Sequence, residues 1–524
     1  MRRIFILLVT LMIFTSTAFA QGKKIIYVPI DSRPCNYKQV TQVAEQLDYE
    51  LLTPPVEALG TRTNMGDVEA MWRWLDENAS QADIAVLSTD ALIYGSLVAS
   101  RTHDLDKPTI MSRAERFKTF REKFPYLTTY VFGTIMRTPR TGNNSSAEPE
   151  YYRQYGAKIF QLTALIDKRE MNLLTHGDQR KLTRLEAEIP QEYLDDWFTR
   201  RAKNSDVNEL FVEYTRAGIF QYFLLGCDDS AEFSQTHRES RRLTELSSDL
   251  GKTVVQVTSG ADELGMLMVA RAINYDKNFT PFVSVAYNAG TGAKTFPPYC
   301  NEPIGVSVDA AIVAVGGLRI PAHERADLVV AVNTRENGKT FEASDPKRNK
   351  IKRRDDLKTF MSIVDECIAK NFPVAIADVA FANGADNALM NQLKVDGLQY
   401  KIRAYGGWNT ATNSSGFLIG AGVLTKFMDD KSVAELLTTR YLDDWIYQAN
   451  VRDEVMTASY GMSVSGDLWN LDEKLPACEQ LLNERMKSFA AENLLLPSRW
   501  RLEDFRVTLP WQRTFECYPQ FKLG

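Results

Sequence analysis

Histidine is scarce in this chain of 524 residues: only His103, His176, His237 and His323 occur, and no pair has the spacing of an HExxH helix. A zinc site built from histidines is therefore not expected, and a serine triad would have few bases to draw on. Cysteine is equally thin. Cys35, Cys227, Cys300, Cys367, Cys478 and Cys517 are widely scattered, with no CxxC or finger-like spacing. No phosphate-binding glycine loop is present either, since the Gly406-Gly407 pair is not a GxGxxG motif. Charge of one sign is not in large excess: the formal net charge is −5, with 62 Lys and Arg against 67 Asp and Glu. A mildly acidic chain without RNP-like aromatic motifs has no general attraction for phosphate polymers, so nucleic acid is not an expected partner.

What is present begins with a leader. Arg2-Arg3, an apolar run from Ile4 to Phe14 and Ala18-Phe19-Ala20 before Gln21 read as a signal peptide over residues 1–20. The apolar run is shorter than the ~20 residues of a spanning helix, which disfavours an uncleaved anchor. Cleavage removes Arg2 and Arg3 and takes the net charge to −7. A periplasmic or secreted protein with no stable membrane insertion is expected, in an oxidising space where one or two disulfides can form.

From residue 24 short apolar runs alternate with helical patterns. Strands are predicted at Lys24–Ile30, Asp83–Ser88, Leu127–Phe132, Tyr222–Leu225, Thr253–Val257, Phe282–Ala286, Leu328–Val332, Pro373–Ala377 and Tyr400–Ala404. These runs are apolar almost throughout, as strands buried on both faces of a parallel sheet must be. The fold class is thus α/β, with an α/β domain over residues 24–430, a helical insertion at about 156–218 and a mainly helical region over 431–524. Polar clusters follow nearly every strand, which favours a (β/α)8-type barrel; a large doubly wound parallel sheet is the alternative. No internal repeat is evident.

In either parallel architecture ligands bind at the carboxyl ends of the strands, so the residues just past each apolar run are the candidates. The first run ends in Asp31, Arg33 and Asn36, and the second in Asp90 and Tyr94. Arg137 follows the third. Next comes Asp228-Asp229, two consecutive carboxylates whose mutual repulsion raises one pKa and makes them a plausible acid/base unit. Asp262 and Glu263 follow Gly260, and Asn288 ends the FVSVA run. Asp378, Asn383 and Asp386 cluster after VAIA, and Trp408 with Asn409 follows the last run. For Asp31, Asp90 and the Asp228-Asp229 pair the competing reading is that each caps the helix after it. A basic stretch, Lys347 to Arg354, reads first as a solvated loop and second as a surface for an acidic polymer.

The ordered set VPIDSRPCN, LSTDALIYGSLVASR, LLGCDDS, TSGADELGMLMVAR, IADVAFANGADN and YGGWNTATNSSG resembles the bacterial domain-of-unknown-function family 4127 over roughly residues 24–430. That resemblance implies a shared fold and site, and assigns no activity. From the residues themselves the expectation is an exported carbohydrate-active hydrolase, acting on a small-molecule or saccharide substrate such as an N-acetylhexosaminide. Asp228 and Asp229 would be the acid and steering carboxylates. No cofactor is required. Two alternatives stand beside it: a hydrolase holding a hard divalent cation on Asp31, Asp90 and Asp228, and a periplasmic saccharide-binding protein without catalysis.

Overall fold

Six strands form the first sheet: Lys23–Val28 (β1), Tyr49–Leu52 (β2), Ile84–Ser88 (β3), Thr128–Ile135 (β4), Tyr222–Cys227 (β5) and Val255–Ser259 (β6). They lie in the order β2-β1-β3-β4-β5-β6 and every pairing is parallel. The chain then builds a second sheet from Phe282–Tyr287 (β7), Leu318–Arg319 (β8), Leu328–Asn333 (β9), Val374–Asp378 (β11) and Ala404–Gly406 (β13). Its order is β8-β7-β9-β11-β13, again all parallel. Phe341–Glu342 (β10) and Phe381–Ala382 (β12) pair as a two-residue ribbon beside it, and Leu502–Thr508 (β14) with Tyr518–Leu523 (β15) forms an antiparallel hairpin. This is a computed structural model, and it describes residues 23–142, 147–460 and 470–524. The leader at 1–20 lies outside the described residues.

The α/β class with parallel sheets is as the sequence predicts, but the barrel is not. Neither sheet closes: β2 and β6 end the first, β8 and β13 the second. The physical reason lies at β6. Instead of pairing with β7 it is followed by helix Leu264–Asp276, which crosses to a new sheet. Each sheet is doubly wound, and counting strands within each, both begin 2-1-3-4-5, an order whose crevice opens between its first and third members. Hydrophobic β3, β5, β9 and β11 are buried at every residue, which explains why their runs do not alternate.

Two helices join the lobes. Leu264–Asp276 packs along Ala411–Leu424, and one continuous core contains residues of both sheets. Every residue of Ala411–Leu424 is buried, so the helix shows no polar face, as a fully enclosed helix need not. Close approach depends on its glycines. A Cβ on Gly416 would lie 2.5 Å from Glu263 Cγ, and one on Gly420 would lie 2.9 Å from Met266 Cγ. Gly416→Ala is therefore expected to destabilise the protein by about 1–3 kcal/mol, the ordinary cost of overpacking. Urea unfolding should show a lower midpoint at unchanged slope; an unchanged midpoint would mean that the two helices have slack.

Between β4 and β5 stand helices Tyr152–Glu170, His176–Glu188 and Gln191–Arg216, with their own cluster of Ile159, Leu162, Leu185 and Trp197. The region after residue 430 contains helices such as Leu475–Asn493, but also the β14–β15 hairpin, whose largely exposed first strand lacks an apolar run. All six cysteines are free and buried, so none of the disulfides that an oxidising space would permit is formed. Among the described residues no helix is long and apolar enough to cross a membrane.

Candidate functional site

The carboxyl ends of β1, β3, β4, β5 and β6 face those of β11 and β13 across a cleft of about 190 Å3. Its floor is built on one arginine. Asp31 at the end of β1 accepts from the Arg33 backbone N–H (3.0 Å), from Arg33 Nε (2.9 Å to Oδ2) and from Asn36 Nδ2 (2.9 Å). The far side of the same guanidinium donates to Asp262 past the end of β6, Nη1 to Oδ2 at 2.9 Å and Nη2 to Oδ1 at 2.5 Å. Arg33 is thus a planar fork between two buried carboxylates, a geometry lysine cannot supply. Gly260 makes the turn at φ +101°, where a Cβ would strike the Glu263 carboxyl.

Asp228 and Asp229 leave β5 in different environments. Asp228 Oδ2 accepts from Arg101 Nε at 2.9 Å and Nη2 at 2.5 Å, both groups buried. Asp229 Oδ2 accepts from Arg137 Nη1 at 3.0 Å, while its side chain is 32% exposed into the cleft. Arg137 is held from behind by Glu148, Nε to Oε1 at 2.5 Å. Neither aspartate caps the following helix. Ser234 does so, accepting from the His237 N–H, and both carboxylates are left to the cleft. Backbone strain gathers here: Asp229, Tyr299 and Asn383 have φ of +31°, +65° and +57°, and all three line the cleft.

The second lobe contributes amides. Asn409 Nδ2 donates to Asp262 Oδ2 at 3.1 Å, and Asn413 lies on the next turn of the wall. Asn383 Nδ2 and Tyr299 Oη both donate to Glu342, at 2.9 and 3.2 Å. The tip of the β14–β15 hairpin closes the remaining side with Trp511, Arg513 and Phe515. Trp511 Nε1 donates to Ser32 Oγ at 3.0 Å, and the Arg33 and Arg513 guanidiniums lie 5.4 and 4.8 Å from its ring centre.

Of the residues singled out in the sequence, Arg33, Arg137, Asp228, Asp229, Asp262, Asn383 and Asn409 meet in this cleft. The others do not line it. Asp31 and Asn36 stand behind Arg33. Asp90 is buried at the start of a short π-helical turn, Asp90–Tyr94, and accepts from Thr134 N–H (2.9 Å) and Oγ1 (2.8 Å). Tyr94 stacks on His103 at 4.9 Å. Trp408 packs against Phe515, 5.6 Å between ring centres, and Asn288 donates to the Thr334 carbonyl at 3.0 Å. Asp378 and Asp386 belong to a buried knot: Asn333 Nδ2 donates to both, and Tyr405 Oη donates to Asp378 at 2.7 Å. Asp386 also caps helix Asn387–Val395. Arg101, Tyr299, Asn413 and the hairpin tip also line the cleft; of these, no strand-end signal points to Tyr299, Arg513 or Phe515.

Electrostatics separates the cleft carboxyls. Burial, and then the charge of Asp228, push Asp229 above the ordinary aspartate range against the opposing pull of Arg137 and Arg101. Burial would raise Asp262 too, but the Arg33 guanidinium overrides it and holds this carboxyl low. Asp378 is pushed up to about 7 by burial and by Asp386. Behind the floor, burial pushes Glu263 up to about 8, and its Oε2 has no hydrogen-bond partner. A raised acid is protonated in the fold and ionised in the unfolded chain, so it costs stability as pH climbs from its ordinary value toward 8. Glu263→Gln is expected to be more stable than wild type at pH 8, on the order of 1–3 kcal/mol. The gain should vanish below about pH 4, where both states hold the proton; a gain independent of pH in urea melts would contradict this.

The sequence profile of a family described as a protein of unknown function, DUF4127, matches residues 25–519. The chain belongs to the DUF4127 family. The match extends past residue 430 and takes in the hairpin tip, so the family region includes every wall of the cleft. No curated protein matches the chain in sequence. The DUF4127 chain does not assemble the donors suggested for a hard cation. Asp31, Asp90 and Asp228 are engaged by Arg33, Thr134 and Arg101 respectively, and among the described residues no group of three or more His, Cys, Asp or Glu side chains is placed to hold a metal.

Proposed function

We propose that this protein is an exported hydrolase of saccharides, with Asp229 donating a proton to the leaving oxygen. One observation carries the reading: the cleft holds two carboxyls driven in opposite directions, Asp229 upward and Asp262 downward. Paired titratable groups whose surroundings separate them in this way are the usual basis of an acid and an ionised partner. Asp229 is the exposed one and carries the proton. Asp262, fixed by Arg33 and Asn409, supplies negative charge to a developing oxocarbenium ion or steers water. This assignment replaces the Asp228–Asp229 pair expected from sequence, because Asp262 is tied to the opposing lobe through Asn409 while Asp228 is held from its own lobe by Arg101. Amides from Asn383, Asn409 and Asn413 suit hydroxyl and acetamido groups, which supports a sugar. Export rests on the leader.

The test is release of aryl leaving groups from a panel of aryl glycosides, N-acetylhexosaminides included. The expected result is turnover of at least one, with a rate that falls as Asp229 loses its proton at high pH. A second reading is a saccharide-binding protein without catalysis, favoured by the placement of the cleft between two doubly wound lobes. Calorimetric binding of a saccharide that no preparation turns over would select it.

A further inference from the structure

The basic stretch noted in the sequence is an ordered surface beside the cleft. Lys347, Arg348, Lys350, Lys352 and Arg353 are all exposed, and the loop that carries them is pinned from within. Asn349 is buried: its Nδ2 donates to the carbonyls of Ala343 and Ala385 at 2.8 and 2.9 Å, and its Oδ1 accepts from the Asn387 N–H at 2.8 Å. A merely solvated loop needs no such anchor. Nor are the charges spent internally. Arg354 is taken up by Asp356 and Asp386, and Arg348 reaches Asp345 only at 4.0 Å. Lys347, Lys350, Lys352 and Arg353 make no ion pair with the described carboxylates within that distance, in a chain whose net charge is negative.

Position gives the patch its meaning. The loop leaves β10 directly after Glu342, the residue that holds both Tyr299 and Asn383 at the cleft rim. The same loop is tied through Asn349 to the Ala385 carbonyl, two residues past Asn383, which sets the cations near the cleft rim. Inside the cleft, by contrast, Arg33, Arg101 and Arg137 are each matched by carboxylates, so the interior asks for no anion. We propose that residues 347–353 form a docking surface for an anionic polysaccharide. This rests on the saccharide reading above and adds to it the class of polymer.

The experiment is affinity electrophoresis of the full chain in gels containing polygalacturonate or neutral dextran, at low and high salt. Wild type should be retarded by polygalacturonate and not by dextran, and the retardation should collapse when salt shortens the screening length from about 10 Å to about 3 Å. The quadruple variant Lys347→Gln, Lys350→Gln, Lys352→Gln, Arg353→Gln should bind at least about tenfold more weakly with an unchanged melting temperature. A second variant, Lys352→Glu with Arg353→Glu, should lose binding equally. Equal retardation of wild type and both variants would overturn the proposal, as would no retardation of wild type. Binding to phosphatidylglycerol vesicles in place of polygalacturonate would also overturn it, by assigning the patch to a membrane. Because the gel reads binding without turnover, a protein inert on every glycoside that still shows this charge-dependent retardation would sink the hydrolase and keep the surface.

Discussion

Asp229→Asn is expected to lower kcat by about 10²–10⁴ on glycosides with poor leaving groups, the range that a positioned general acid contributes. The asparagine keeps the shape of the side chain and removes its proton, so the loss should shrink steadily as the leaving group becomes more acidic and needs less protonation. KM should change little, because the amides that hold the sugar are untouched. The reason for singling out this residue is local: burial and the neighbouring Asp228 push its carboxyl above the ordinary range, and a third of its side chain faces the space a substrate would occupy. Asp228→Asn tests the contrast. That change removes a charge paired with Arg101 and should appear chiefly as lost stability. Equal loss of kcat across all leaving groups in Asp229→Asn would remove it as the acid.

Arg33→Met should have the largest effect on the fold. The guanidinium joins Asp31 and Asp262, with side-chain exposures of 0% and 9%, across the ends of β1 and β6. Its removal leaves two buried carboxylates facing one another, and breaking one buried pair already costs about 3–5 kcal/mol. The pH dependence has a definite sign. In wild type Asp262 is held low, so its contribution is present above the ordinary carboxylate range and is lost as pH falls through its lowered value. In the variant two buried negative charges lose their shared counter-charge, so the penalty is greatest at neutral pH and eases on acidification. Wild type and variant melting curves should therefore converge at low pH. Adding Asp31→Asn and Asp262→Asn to Arg33→Met should recover part of the loss at neutral pH, a coupling that independent sites would not show.

The strands were legible because burial on both faces leaves nothing but apolar residues, and β1, β3, β5 and β9 stand out in this way. The half-exposed β2, YELL, has no such run. Whether β6 returns to pair with a neighbour or hands the chain to a second sheet depends on the helix crossing after it, and no residue of β6 records that choice. The two sheets share a strand order without a visible sequence repeat, since strand order is set by crossovers and each lobe packs different side chains.

At the site, position past a strand identified Arg33, Asp228, Asp229 and Asp262, but that rule has no view of depth. Asp90, Asp378 and Asp386 obey it equally and are buried in hydrogen-bonded knots. Arg101 sits within helix Leu97–Thr102, beyond the reach of a strand-end rule. The hairpin tip left little trace: Trp511, Arg513 and Phe515 sit in a bend, with Gln512 at φ +52°, and no apolar run or strand end marks it. Nothing in those residues says which distant surface the bend covers.

The most direct test of the account is the pH profile of kcat/KM for wild type and Asp229→Asn on the same aryl glycoside. Wild type should show a basic limb above the ordinary aspartate range, reporting the raised carboxyl of the free enzyme, and the limb should disappear in the variant. A basic limb at the same pH in both proteins would place the working proton on another group.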